Sequence, residues 1–166
     1  MALATYRSGP AYIRTSRPKT PVIYSNDEVF EIGGLKVLRQ SAQDVATVIG
    51  AGVTVFEALK AYDKLKAEGT SIRVIDLYSL APVDAAGLTA AARATGGRLI
   101  TVEDHYPSGG VGDAVAEAVA GAGFTVHRLA IREIPRSGKP DELLERFGIS
   151  SSQIISAVRA VMAAAR

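Results

Sequence analysis

The 166-residue sequence has no cysteine, no tryptophan, two histidines and only 6% aromatic side chains. Without cysteine there is neither a disulfide framework nor a thiolate metal site. The two histidines, His105 and His127, do not make a zinc site without a third ligand. Charge of one sign is missing too: nineteen Lys and Arg stand against seventeen Asp and Glu, a formal net charge of +2. The bases are dispersed, with few aromatics between them, so the basic stripe with stacking platforms that marks a nucleic-acid binder is not present. No stretch reaches the roughly 18 apolar residues of a membrane helix. The opening residues, MALATYRSGPAY, lack the apolar run of a secretory signal. These absences predict a cytoplasmic protein with no nucleic-acid or membrane partner.

What is present is a small-residue α/β pattern, 48% hydrophobic and rich in Ala, Val, Leu and Gly. The first third is irregular. Two short apolar pieces, AYIRTS (11–16) and VIY (22–24), read as short strands, and Pro18 and Pro21 prevent either from extending. The polar stretch SNDEVFEIGG (25–34) reads as a linker, with a boundary near residue 34. From residue 35 the pattern is regular. LKVLRQ (35–40) and DVATVIG (44–50) are strands, and a helix over 54–67 carries Phe56, Leu59, Tyr62 and Leu65 on one face, with Glu57 off it. IRVIDLY (72–78), RLITVED (98–104) and FTVHRLAI (124–131) are further strands. Asp84 caps a helix over 85–94, GGVG (109–112) opens another, Pro140 starts a short one, and Ser150 with Gln153 has capping-box spacing before the last. Strands alternating with helices imply a mainly parallel sheet covered on both faces, with the early strand pair adding one antiparallel edge.

Several motifs invite a functional reading. IGAGVTVFEA (49–58), with Asp76 at the end of the next strand, resembles a dinucleotide turn using Gly50 and Gly52, but the third glycine of that fingerprint falls at Val55. A tight strand-to-helix turn is the better reading. GGVG can offer helix-terminal amides to an anion or a carboxylate, although a plain turn again suffices. EDH (103–105) sets two carboxylates and an imidazole at a strand's C-terminal end, with Ser108 nearby and no complete nucleophilic set. PRSGKP (135–140) holds Arg136 and Lys139 in a loop that can grip an anion or simply remain solvated. In IRTSRP (13–18), Arg14 and Arg17 sit on an extended arm and point in different directions. No catalytic set is complete.

Taken together, IRTSRP…VIYSND (13–27), VIGAGVTVFEAL (48–59), TVEDHYPSGGVGDAV (101–115) and IPRSGKPDELLERFGI (134–149) resemble the C-terminal part of transketolase, in the family's order and over nearly the whole chain. The most specific run is RSGKP followed by ELL and FGI. The resemblance implies a three-layer α/β/α domain with a five-stranded, mostly parallel mixed sheet over residues 35–166, preceded in residues 1–34 by the last segment of a pyrimidine-binding domain plus linker. It implies that the parent is a transferase of the pentose phosphate pathway. That enzyme moves a two-carbon ketol unit between ketose and aldose phosphates with thiamine diphosphate and magnesium or calcium. The cofactor and metal belong to earlier domains, so this chain is expected to hold neither and to be inactive alone.

By the same analogy no catalytic residue lies here, and Arg17, in the TSRP run, contacts the sugar phosphate. The implied partners are the remaining transketolase domains or subunit, in a homodimer. Two rivals remain open on the residues. One is a partner-docking domain of a related thiamine enzyme, a 2-oxoacid dehydrogenase β-type subunit or deoxyxylulose-phosphate synthase. The other is a nucleotide-binding regulatory domain using Gly50, Gly52 and Asp76.

Overall fold

In the computed structural model, residues 9–16 and 19–164 are described. Their elements run β1 (Lys36–Arg39), β2 (Thr47–Gly50), α1 (Val53–Ala67), β3 (Arg73–Asp76), α2 (Ala85–Ala94), β4 (Leu99–Glu103), α3 (Val111–Ala120), β5 (Val126–Ala130), α4 (Pro140–Arg146) and α5 (Ser151–Ala163). The strands form one five-stranded sheet in the order β1-β3-β2-β4-β5. Strands β3, β2, β4 and β5 are parallel, and β1 joins β3 antiparallel. The mixed, mostly parallel sheet expected from the sequence is therefore present.

Side chains on a strand alternate between faces, and here the alternation feeds two separate cores. Val48, Val74, Ile100 and Val102 point to one cluster, which Ala58, Ala61 and Leu65 of α1 and Ile154 and Val158 of α5 complete. Ile49, Ile75 and Leu99 point to the other, under Leu88 and Ala92 of α2 and Val111, Val115 and Val119 of α3. Helices α1 and α5, with α4 packing Leu143 and Leu144 beside them, cover one face and α2 and α3 the other, giving three layers. Each fully buried Ile or Leu contributes about 1.5–3 kcal/mol, so the stability of the domain resides in these two clusters.

Local rules account for most element ends. The Asp84 side chain accepts from the Gly87 amide at 2.8 Å and caps α2. Ser150 caps α5 by accepting from Gln153, and Pro140 occupies the first position of α4.

Three expectations need correction. Residues 11–16 and 22–24 form no strand; they belong to an extended arm without ladder hydrogen bonds. The antiparallel edge exists, but β1 pairs with β3 rather than with its neighbour in sequence, β2. The reason is burial: every residue of β2 is buried and both its edges are taken by parallel partners, whereas β1, half exposed and carrying Lys36 and Arg39, suits the rim of the sheet. Finally, the buried face of α1 is Val55, Ala58, Ala61 and Leu65, with Phe56, Leu59 and Tyr62 only half-buried. Glu57 is on the buried side, where its carboxylate accepts from the Ser151 amide at 2.8 Å and from Lys60 Nζ at 2.6 Å, tying α1 to the N-terminus of α5.

Candidate functional site at the C-terminal edge of the sheet

In an open parallel sheet, ligands bind outside the C-terminal ends of the strands, at the point where the strand order reverses. Here the chain passes from β2 outward to β3 and then back across to β4, so that point lies between β2 and β4. The ends of β2, β3 and β4 are the Gly50–Gly52 turn, Asp76 and the EDH run, the positions that the sequence singled out.

The arm crosses this edge. Arg14 donates to the Asp104 backbone carbonyl at 2.9 Å and to the Asp104 carboxylate at 3.0 Å. Ser16 Oγ lies over the β2 turn, 3.8 Å from where a Cβ on Gly52 would stand. Tyr24 donates to the Asp76 carboxylate at 2.6 Å. The Tyr24 ring meets Phe30 edge-on at 4.9 Å between centroids, and Phe30 meets Tyr78 in the same way at 4.9 Å. The arm continues as a strap: the Gly33 amide donates to Ser79 Oγ at 2.9 Å, and Lys36 pairs with Glu28. Arg17 and Pro18 lie outside the described residues.

Electrostatics follow burial at this edge. Asp76 is 8% exposed. Burial pushes its carboxyl above the usual carboxylate range, and the Tyr24 hydrogen bond pulls it partly back. Burial and the adjacent carboxylate push the Tyr24 phenol well above its ordinary range, so it remains a donor. Glu103 is 1% exposed, and its Oε2 has no hydrogen-bond partner among the described residues. Burial raises this carboxyl as well, against the amides of Gly112 and Val111 and the nearby His105 and Arg128.

Both glycine-rich turns are satisfied from within the chain. In the first, the Ala51 amide donates to Thr54 Oγ1 at 3.1 Å, and the same hydroxyl donates to the Val102 carbonyl at 2.7 Å. Gly50 is required by close approach, since a Cβ there would stand 3.0 Å from the backbone of Thr54 and Val55. In the second, the Gly109 amide donates to Asp113 at 2.6 Å and the Gly112 amide to Glu103 at 3.2 Å. A Cβ on Gly110 would collide with the Glu103 carboxylate. The carboxylates that the helix N-terminus calls for are thus the chain's own. With the Tyr24 phenol on Asp76, the carboxylate that a dinucleotide site would offer to a ribose is already engaged.

The remaining candidates do not converge. His105 is exposed, its Nδ1 2.8 Å from the Tyr106 carbonyl, and His127 is exposed on the edge strand β5. Ser108, Arg136 and Lys139 are exposed, and Lys139 pairs loosely with Glu142 at 3.5 Å. Sequence reasoning missed Tyr24 and Glu57 as contact residues and, although it singled out Asp104 in the EDH run, gave it no partner. The partners of these three are 52, 94 and 90 positions away, and no local pattern announces such pairs.

Among the described residues no group of three His, Asp or Glu side chains could hold a metal ion. A cleft of about 320 Å³ between the arm and α1 is lined by Val22, Ile23, Val55 and Phe56, with Asp76 as its one charged group. Among the described residues that line it there is no cation for a diphosphate and only one carboxylate for a metal, so they do not fit thiamine diphosphate or its metal. Among the described residues no helix is long and apolar enough to cross a membrane.

The fold is a doubly wound domain whose own arm lies across the edge where ligands usually bind, and comparison with known proteins says to which family it belongs. Residues 33–154 match the family described as transketolase, C-terminal domain. The chain is 55% identical over 161 residues to transketolase-like protein 1 of Bos taurus, covering 96% of this chain and 27% of that protein. It is 51% identical over 161 residues to transketolase of Mus musculus, covering 96% and 26%. A solved structure described as a split gene transketolase, an inactive beta4 tetramer, superposes with a TM-score of 0.78 at 34% identity, covering 84% of this chain and 46% of that one. The chain belongs to the transketolase family, and its residues 33–154 are that family's C-terminal domain. It spans about a quarter of the length of the curated relatives that it matches.

Proposed function

We propose that this chain is the C-terminal portion of an enzyme transferring a two-carbon ketol unit between a ketose phosphate and an aldose phosphate. The observation that carries this is identity of 50–55% to transketolases and transketolase-like proteins over nearly the whole chain. In this reading thiamine diphosphate and its magnesium or calcium are held by the preceding domains and supply the carbanion chemistry. Residues 35–166 are scaffold: they pack against those domains and contribute to a homodimer in the cytoplasm. Residues 1–34 close the pyrimidine-binding domain, which the irregular arm ahead of β1 and the start of the family match at residue 33 support.

Arg17 is the one substrate contact, a guanidinium suited to bidentate pairing with a phosphate. The test is a ketol-transfer assay with thiamine diphosphate, magnesium, a ketose phosphate and an aldose phosphate. This chain alone is expected to give no turnover above background, and its assembly with the cofactor-binding portion is expected to restore it. Turnover by the chain alone, or none after assembly, contradicts the reading.

A further inference from the structure

The cleft of about 320 Å³ beside α1 lies near the lower end of the range for small-molecule sites, about 300–1,000 Å³. Its lining is mostly apolar. Val22 and Ile23 come from one side, Val55 and Phe56 of the first turn of α1 from the other, and Tyr24 adds a second aromatic ring. Asp76, at the end of β3, is the one charged residue among those that line it.

The sheet puts that carboxylate there and leaves it short of donors. Asp76 stands opposite Gly50 of β2 and Lys36 of β1 and is 8% exposed. Tyr24 donates to Oδ2 at 2.6 Å, and among the described residues nothing donates to Oδ1. The cation nearest in register does not compensate the charge, because the Lys36 ammonium pairs with Glu28. A buried carboxylate ordinarily gathers several hydrogen bonds or a cation, and a single phenol leaves this one only partly compensated. Burial accordingly holds its carboxyl above the usual carboxylate range.

The chemistry that completes such a cleft is narrow. A positively charged N–H donor supplies both the missing hydrogen bond and the missing charge. An apolar body fills the space between Ile23, Val55 and Phe56, and the faces of the Tyr24 and Phe56 rings attract a cation. An anion is repelled by Asp76, and a neutral apolar molecule leaves the carboxylate as it was. We propose that this cleft binds a small primary amine in its ammonium form, with the nitrogen on Asp76 and an apolar body against α1. The site is independent of the ketol-transfer reading.

The experiment uses this chain and three ligands of one shape: benzylamine, an ammonium at pH 7, benzyl alcohol and benzoate. Titrations followed by backbone amide shifts give the dissociation constant of each. Benzylamine is expected to bind about tenfold more tightly than the alcohol, with benzoate weakest and the shifts centred on Ile23, Val55, Phe56 and Asp76. Asp76→Asn keeps an acceptor for the Tyr24 hydroxyl and removes the charge, so it should bring benzylamine down to the level of the alcohol. Phe56→Leu should weaken the amine and the alcohol alike. Equal affinity for amine and alcohol, or shifts centred away from the cleft, would overturn the proposal, and this comparison needs no variant to fold. Tighter binding of benzoate than of benzylamine would overturn it as well, since the start of α1 rather than Asp76 would then set the charge preference. An ammonium preference that survives Asp76→Asn contradicts it too.

Discussion

The sheet with its helices and the arm ahead of it are held by opposite means. Residues from Leu35 onward bury two apolar clusters in which most positions are closed to solvent, and no single contact decides whether they form. The arm, over the described residues 9–16 and 19–34, gives no buried residue to either cluster and is attached by a few directional bonds, Arg14 to Asp104, Tyr24 to Asp76 and Gly33 to Ser79, beside the Tyr24–Phe30–Tyr78 ring contacts. Apolar packing is redundant and non-directional, so it gives a fold that tolerates change. A few polar contacts give placement, and losing one moves the segment without unfolding the domain.

The largest effect that breaks this contrast comes from the core. Ile100 is fully buried at the centre of β4, and Ile100→Ala should cost about 2–5 kcal/mol in a denaturant titration. A cost below about 1 kcal/mol would mean that the cluster is not close-packed.

Glu103 gives a smaller and pH-dependent effect. Burial raises its carboxyl in the folded chain, so the native state binds the proton more tightly than the unfolded chain does. Stability from this group is complete below the ordinary glutamate range, at about pH 4.5 and lower, and is lost as pH rises through the raised folded value. Glu103→Gln should therefore flatten the decline of stability above about pH 4.5, with a gain at pH 7 smaller than the Ile100→Ala loss. The same pH slope in both proteins would show that Glu103 is ionised at no cost.

How far the sequence disclosed this arrangement divides along the same line. The strands and helices from β1 onward were legible because burial writes a period of two or 3.6 into the chain, and the caps at Asp84 and Ser150 were legible because a cap is local. The pairing of β1 with β3 was not, since it depends on both edges of β2 being occupied by parallel strands. Glu57 looked like a surface glutamate on a helix and is buried only because α5 docks there. At the sheet edge, Gly50, Gly52, Asp76 and the EDH run drew attention correctly as strand ends, but the partners of Asp76 and Asp104 are Tyr24 and Arg14, in pieces whose local sequence reads as short strands and does not show what they meet. The resemblance to transketolase bridged that gap for the family; residue spacing alone did not.

Hydrogen exchange on this chain, with and without Tyr24→Phe, measures the division most directly. Amides of Val48, Ile49, Ile75, Ile100 and Val102 should exchange slowly and at rates unaffected by the substitution, because opening them requires breaking the clusters. The arm amides at Val22, Ile23 and Tyr24 should exchange faster in the wild type and faster still in the variant. Arm and strand amides exchanging at one common rate, or strands losing protection when only the Tyr24 hydroxyl is removed, would contradict the account by making the arm part of the fold.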